Sequence, residues 1–68
     1  MQYPKHPIWF DSLEEALAAS ARINEALWAR ISGRGLYKVY PGGRAVRYLS
    51  DPDARKRYNA DDYSYGDA

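Results

Sequence analysis

Basic and tyrosine side chains concentrate in the second half of the sequence. Eight of the ten Lys and Arg residues lie between positions 30 and 57, and four of the seven tyrosines lie between positions 37 and 58. Only Asp51 and Asp53 offset these cations within that stretch. Cations neutralise phosphates, and aromatic rings stack on bases or anchor protein interfaces. These residue types therefore predict a binding surface for nucleic acid or for a protein.

Acidic residues form two separate blocks, so the formal net charge of +1 hides a dipolar chain. Residues 11–25 carry four acids against Arg22, and the C-terminal segment carries Asp61, Asp62 and Asp67. Separated blocks of this kind can face different partners. We interpret the acidic segment either as a solubilising tail or as a segment that folds back over the basic stretch and competes with an anionic ligand.

Groups suited to catalysis or metal binding are few in this sequence. His6 is the one histidine and lies in a polar N-terminal stretch, so a solvent-exposed imidazole is the favoured interpretation. The pairs Asp51/Asp53 and Asp61/Asp62 offer oxygen ligands, but helix capping and a solvated tail account for them. We therefore expect a protein that is not an enzyme and that uses no cofactor or metal.

Length and composition favour one small domain. We expect residues 1–59 to form a single α+β domain and residues 60–68 to form a mobile acidic tail, because a chain of 68 residues has room for one core and the tail has few apolar side chains. The chain contains no cysteine, which is compatible with a reducing compartment. It also lacks the apolar runs of a signal peptide or a membrane span. A cytoplasmic protein without membrane contact is the expectation.

A long amphipathic helix is predicted after a short strand at residues 8–10. Ser12 and Glu15 have the spacing of a capping box, and apolar residues recur at helical spacing over residues 13–31. Ser20 and Asn24 interrupt the centre of this apolar stripe. We expect Ser20 to bond the carbonyl four residues earlier and Asn24 to satisfy a backbone group of a loop or sheet edge, with a polar contact across a dimer seam as the alternative.

A β-hairpin is predicted next, because residues 36–40 and 45–49 are rich in β-prone side chains and flank a Gly-Gly turn. With Gly42 and Gly43 as the central turn residues, Lys38 lies opposite Arg47. Tyr40 then shares the outward face with both cations. Like charges opposite each other are unfavourable, and an anion bound between them would reverse that repulsion.

This outward face is the predicted binding site. Further cations that could follow a phosphate backbone precede the hairpin, lie in its turn, or lie in the short helix predicted from Ser50 or Asp51 to about Asn59. The candidate binding residues are Arg34, Lys38, Tyr40, Arg44, Arg47, Arg55, Lys56 and Arg57.

The predicted architecture is a two-layer α+β fold, in which a short N-terminal strand and one long helix accompany the hairpin and a short C-terminal helix is followed by the acidic tail. The first functional hypothesis is a small non-enzymatic protein that binds nucleic acid or a nucleic-acid-handling complex. The alternative is a phage-type inhibitor or adaptor, comparable to an anti-CRISPR protein, that blocks a host complex through protein contacts. A homodimerising structural element is the third hypothesis, because small cores often gain from a partner.

Overall fold

A four-stranded mixed sheet with two helices forms the fold in the computed structural model, which describes residues 3–58. The elements are β1 (Ile8–Phe10), α1 (Leu13–Ile23), β2 (Leu27–Ile31), β3 (Gly35–Val39), β4 (Ala45–Leu49) and α2 (Asp51–Arg57). The strand order is β1-β2-β3-β4, with β1 parallel to β2 and the other pairs antiparallel. The predicted α+β class is confirmed, whereas the predicted acidic tail lies outside the described residues.

The start of α1 follows the predicted capping box. The Glu15 amide donates to Ser12 Oγ at 3.2 Å, which satisfies one of the free N–H groups of the first turn. The Glu15 carboxylate reaches back and accepts from the Asp11 amide at 3.2 Å. These two bonds fix the entry of the chain from β1 into α1.

The end of α1 differs from the prediction, since the helix stops at Ile23 and residues 27–31 form β2. Asn24 adopts the left-handed conformation with φ +58°, and its N–H donates to the carbonyl of Ala21 at 3.3 Å. Asparagine is one of the few residues that tolerate this conformation, which ends a helix. The predicted helix over residues 13–31 is therefore wrong beyond Asn24.

Ser20 supports this helix end from inside the core. Its hydroxyl is fully buried and donates to the carbonyl of Glu25, with a second, longer contact of 3.4 Å to the carbonyl of Val39. The predicted bond of Ser20 to the carbonyl four residues earlier is therefore wrong, since its partner carbonyls lie after the helix. The bond ties the turn between α1 and β2 to the end of β3.

The predicted hairpin is present, but its loop is one residue longer than the predicted turn. The Tyr40 amide donates to the Arg44 carbonyl at 2.8 Å, and the Gly43 amide donates to the Tyr40 carbonyl at 3.0 Å. Gly43 has φ +95°, as expected when a turn is followed by a left-handed residue in a three-residue loop.

This longer loop shifts the pairing of β3 with β4. The observed partners are Tyr37 with Arg47, Lys38 with Val46, and Val39 with Ala45. The predicted pairing of Lys38 with Arg47 is therefore wrong. A shift of one residue moves each side chain of β4 to the opposite face relative to β3.

The β3–β4 register shifts again near the start of β3, where Leu36 pairs with Leu49. The backbone after β4 crosses directly above Gly35 at this point. A Cβ on Gly35 would lie 2.0 Å from the carbonyl oxygen of Leu49, and Gly35 has φ +117°. Glycine is therefore required for β4 to turn into α2 over the start of β3.

The two helices cover opposite faces of the sheet. Along β2, Ala29 and Ile31 pack in a buried cluster with Ala16 of α1. Side chains of a strand alternate between faces, so Trp28 and Arg30 lie on the other side. The cluster on that side contains the following residues: Leu36, Ala54 and Tyr58, with Tyr3, Trp28, Tyr48 and Leu49 packed against them. The fold thus has three layers in place of the predicted two, with an α1 face and an α2 face.

Candidate binding face

Within residues 3–58, four cations lie over aromatic rings, and each of these pairs has a member on the α2 face. The pairs are Arg30 over Trp9 at 4.8 Å, Lys38 over Trp28 at 5.0 Å, Arg44 over Tyr40 at 5.4 Å, and Arg57 over Tyr3 at 4.8 Å. A cation within about 6 Å of a ring centroid is attracted by the ring quadrupole. The α2 face therefore combines cations with aromatic rings on several of its elements.

The centre of this face is a row of cross-strand neighbours. Lys38 of β3 pairs with Trp28 of β2 on one side and with Val46 of β4 on the other. The Trp28 ring also meets the Tyr48 ring edge-on, with centroids 4.8 Å apart and planes at 63°. This contact fixes the orientation of the indole, which remains half-buried.

A second row lies at the hairpin end of the same face. Tyr40 and Arg44 close the loop through their backbone hydrogen bond, and their side chains stack as a cation–π pair. Tyr40 is half-buried, whereas Arg44 is exposed. Lys38 and Tyr40 are two positions apart on β3, so the two rows are separated by about 7 Å along the strand.

Arg30 belongs to the same face but is not accessible to a ligand. It is only 2% exposed, and its Nη1 donates to the carbonyl of Ile31 at 2.6 Å and, more weakly, to that of Gly35 at 3.5 Å. Its Nη2 lies 3.1 Å from Oδ1 of Asp51. This contact is a charge interaction rather than an aligned hydrogen bond, because Asp51 Oδ1 lacks a hydrogen-bond partner of good geometry. Arg30 thus has a structural role.

The C-terminal helix adds exposed cations to the α2 face. Its last turn contains Arg55, Lys56 and Arg57, and all three are exposed. Arg55 Nε also contacts Asp51 at 3.1 Å, but the Arg55 side chain is 72% exposed, so solvent screens this pair. Arg57 lies over the Tyr3 ring at 4.8 Å, so Lys56 is the cation of α2 most open to an anionic ligand.

The predicted site residues do not all meet on one surface. Lys38, Tyr40 and Arg44 lie on the α2 face, on the same side of the sheet as the cations of α2. Arg47 pairs with Tyr37, which packs towards α1, so Arg47 lies on the α1 face. The predicted anion site between Lys38 and Arg47 is therefore absent.

Arg34 also lies away from the other predicted residues. It occupies the exposed turn between β2 and β3, where its amide donates to the carbonyl of Ile31 at 3.0 Å. Arg44 follows the other end of β3, so the backbone positions of Arg34 and Arg44 are separated by the length of that strand. Arg34 therefore lies outside the two rows of the α2 face that contain Lys38 and Tyr40.

Trp28 and Tyr3, whose rings lie beneath Lys38 and Arg57 on the α2 face, are not among the candidate site residues predicted from the sequence. The predicted helix over residues 13–31 includes Trp28, which lies near its apolar stripe. The sequence pattern predicts no role for Tyr3. The signal for Trp28 was Asn24, which interrupts the stripe and ends the helix before Trp28.

Tyr58 anchors the end of α2 to the N-terminal segment. Its ring is buried in the α2-face cluster, and its hydroxyl donates to the carbonyl of Pro4. Burial raises the pKa of the Tyr58 phenol above its usual value, and the neighbouring Arg57 partly opposes that effect. The pairing of Arg57 with Tyr3 lies beside this contact.

Charge is segregated between the two faces. The first turn of α1 contains the exposed acids Glu14 and Glu15, and Asp11 and Glu25 at the two ends of the helix are exposed as well. The α2 face carries the exposed cations described above. The acids of residues 11–25 thus lie on the opposite side of the sheet from most exposed cations of residues 38–57, with Arg47 as the exception, and this arrangement produces a positive field on the α2 face.

Neither helix in residues 3–58 is long and apolar enough to cross a bilayer. His6 is exposed, and no group of three His, Asp or Glu side chains within those residues is arranged to hold a metal ion. No family model matches the chain, and neither a curated protein nor a solved structure matches it.

Proposed function

We propose that the protein is a non-enzymatic module that binds nucleic acid through its α2 face. The observation that supports this function is the position of five exposed or half-buried cations on one side of the sheet, together with half-buried rings. These cations are Lys38, Arg44, Arg55, Lys56 and Arg57. Cations of this kind release counterions from phosphates, which is the main source of affinity in sequence-independent binding.

The paired rings favour a single-stranded ligand. Lys38 and Arg44 lie over Trp28 and Tyr40, so each cation leaves its ring when it moves to a phosphate. Both rings are half-buried, and loss of a cation–π contact at such a partly solvated site costs about 1 kcal/mol. A base that then stacks on the ring contributes about 1–3 kcal/mol. The exchange is therefore favourable for unpaired bases, whereas bases within a duplex are already stacked on each other.

The two rows offer positions for neighbouring bases. Trp28 and Tyr40 lie in successive rows on the same face, about 7 Å apart along the strand direction. The last turn of α2, with Lys56 and Arg57, lies on the same side and can contact phosphates beyond these bases. The proposed ligand is a short single strand bound with little sequence preference.

Fluorescence anisotropy with labelled single-stranded and duplex oligonucleotides, measured over a series of salt concentrations, tests this function. Each phosphate contact on a single strand should contribute about 0.7 to the slope of log affinity against log salt. We expect tighter binding of single strands than of duplexes. Absence of oligonucleotide binding, or binding that does not change with salt, would overturn the proposal.

The last turns of the two helices provide a matched pair of variants. Lys56 is exposed in the last turn of α2, and Arg22 is exposed in the last turn of α1 on the opposite side of the sheet. Lys56→Ala should lower the salt slope by about 0.7, whereas Arg22→Ala should leave it unchanged. A stoichiometric complex with a protein target and no oligonucleotide binding would instead favour the alternative of a phage-type inhibitor.

A further inference from the structure

The outer edge of β4 is open to a further strand. β4 is the last strand in the order β1-β2-β3-β4, and within residues 3–58 no strand pairs with its outer side. α2 follows β4 directly but turns inward over the sheet, where Ala54 packs with Leu36 of β3. The unpaired N–H and C=O groups of an edge strand can pair with the backbone of another chain.

Two residues of β4 present their backbone groups to this edge. The Tyr40 amide donates to the Arg44 carbonyl, and hydrogen-bonded pairs recur at every second residue of an antiparallel ladder, so Val46 is bonded to β3. Ala45 and Arg47 occupy the alternate, non-bonded positions, and their N–H and C=O groups therefore point away from β3. An antiparallel strand on this side would form two hydrogen bonds with each of them.

The opposite edge of the sheet is less suited to an added strand. β1 has only three residues and is preceded by Pro7, which has no N–H, whereas β4 has five residues and no proline. Short edge strands, prolines and charged side chains are among the features that keep an edge unpaired. Of these, β4 has only the charge of Arg47.

Arg47 selects the charge of the partner strand. Its side chain is exposed, and both ion pairs within residues 3–58 involve Asp51 rather than Arg47. Opposite charges across a strand pair are stabilising, and like charges are destabilising. A strand with a carboxylate opposite Arg47 is therefore favoured over a neutral or basic one. Arg44 is exposed just before β4 and favours a second carboxylate.

A second copy of β4 matches this edge poorly. In every antiparallel register that bonds Arg47 of each copy to β4 of the other, the two Arg47 side chains share a face. They lie either directly opposite each other or on the diagonal, which separates them by about 8 Å at most. The exposed charge therefore opposes self-pairing, although it does not oppose an acidic strand.

We propose that the outer edge of β4 binds an extended acidic segment of a partner protein by antiparallel strand addition. Backbone hydrogen bonds to Ala45 and Arg47 supply affinity, and a carboxylate opposite Arg47 supplies charge selectivity. A β-branched residue opposite the half-buried Val46 extends the apolar surface of the sheet. This site does not rest on the nucleic-acid function proposed above, because the interaction needs no nucleic acid.

A short peptide tests strand addition on the full-length protein. The probe is Thr-Thr-Glu-Val-Thr-Glu with blocked termini, which in antiparallel register places its two glutamates opposite Arg47 and Arg44. We expect the ¹⁵N-detected amides of Ala45 and Arg47 to exchange with solvent about tenfold more slowly at a peptide concentration about ninefold above the Kd, because exchange then comes from the remaining free molecules. Unchanged exchange at these two amides would overturn the proposal.

A backbone-methylated copy of the peptide separates strand addition from charge attraction. N-methylation of its third and fifth residues removes the two N–H groups that face β4 and retains both carboxylates. We expect this copy to bind at least about tenfold more weakly, because two backbone hydrogen bonds are lost. Equal binding of the two peptides would show that charge alone attracts them and would overturn the proposal. This comparison needs no variant of the protein.

Charge reversal tests the role of Arg47. Arg47→Glu should weaken binding of the peptide about fivefold to tenfold, because an attractive cross-strand pair becomes a repulsive one. Arg22→Glu makes the same change of net charge at an exposed position of α1 and should alter the affinity less than twofold. Circular dichroism checks that both variants are folded. Equal losses would show only an effect of net charge and would contradict a contact at Arg47.

The other possible occupants of the edge give different results. We expect the protein alone to sediment as a monomer, and a dimer whose formation protects the amides of Ala45 and Arg47 would assign the edge to a second copy. Protection of these amides by a single-stranded oligonucleotide but not by the peptide would assign the edge to nucleic acid. Either result would overturn the proposal. If the peptide binds and no oligonucleotide does, the nucleic-acid function fails and the peptide site stands.

Discussion

The guanidinium of Arg30 lies 3.1 Å from the carboxylate of Asp51, and this ion pair joins β2 to the first residue of α2. Arg30 is 2% exposed and is also enclosed by the Trp9 ring and by the carbonyl of Ile31. A buried charge is tolerated only when it is paired and hydrogen-bonded. Asp51 therefore has two functions, since it begins α2 and neutralises the cation beneath it.

Loss of Asp51 should be far more damaging than loss of Asp53, although both are acids in the first turn of the same helix. Asp51→Ala leaves Arg30 buried and uncompensated, which costs about 3 kcal/mol or more. Asp53 is exposed and accepts only from Ser50 Oγ at 3.1 Å, so Asp53→Ala should cost about 0.5–1 kcal/mol. Urea unfolding measures both free energies, and equal losses would contradict the structural role of the ion pair.

Substitutions at Asn24 distinguish a helix end from a helix interior. At φ +58°, Asn24→Gly should be neutral or slightly stabilising, whereas Asn24→Ala should cost about 1 kcal/mol. If the helix continued through this position, the order would reverse, because Gly is about 1 kcal/mol worse than Ala inside a helix. Thermal unfolding followed by circular dichroism gives the order of the two variants directly.

The end of α1 could not be predicted from the apolar pattern, because the spacing of apolar residues in 27–31 fits both a helix and a strand. Leu27 and Ile31 are four residues apart, and such residues share a face both in a helix and in a strand. Ala29 between them fits the strand, but alanine is also common in helices. The polar interruption at Asn24 was the better signal, because the centre of a packed stripe rarely contains an asparagine.

The hairpin was predictable from its β-prone runs, but its register depended on a single residue in the loop. Two glycines suit a two-residue turn, and the same glycines also suit a three-residue loop that begins with Pro41. The observed loop places Arg47 on the α1 face and leaves Lys38 beside Trp28. The cations of the site were therefore predicted by composition, whereas their sides of the sheet were not.

Alkaline pH should weaken the fold through Tyr58. Because burial raises the pKa of this phenol in the folded state, the unfolded chain releases the proton first as the pH rises through about 10. The stability from the buried neutral phenol is fully present below that pH and is lost as the pH rises through the folded pKa.

Tyr58→Phe removes this titration along with the bond to Pro4. The variant should lose about 1–2 kcal/mol at pH 7, and this deficit should shrink above about pH 10 as the unmodified protein weakens. Urea unfolding at a series of pH values measures the difference, with Tyr40→Phe as the control outside the buried cluster. A deficit that stays constant with pH would contradict the role of the phenol.

Charge reversal at two arginines near or within β4 tests which face binds nucleic acid. Arg44 lies over Tyr40 on the α2 face, and Arg47 pairs with Tyr37 on the α1 face. Both side chains are exposed, and each substitution to Glu changes the net charge by the same amount. Any weakening that arises only from the lower net charge is therefore the same in both variants. A difference in their affinity for the single strand then reports the loss of a direct contact.

Arg44→Glu should weaken binding of a labelled single strand about fivefold to tenfold at ~0.1 M salt, because one phosphate contact is lost and a repulsive charge replaces it. Arg47→Glu should change the affinity less than twofold. Anisotropy titrations of the two variants under the same conditions give both values. If Arg47→Glu weakened binding as much as Arg44→Glu, the ligand would contact the edge or the α1 face of β4, and the α2 face would not be the binding surface.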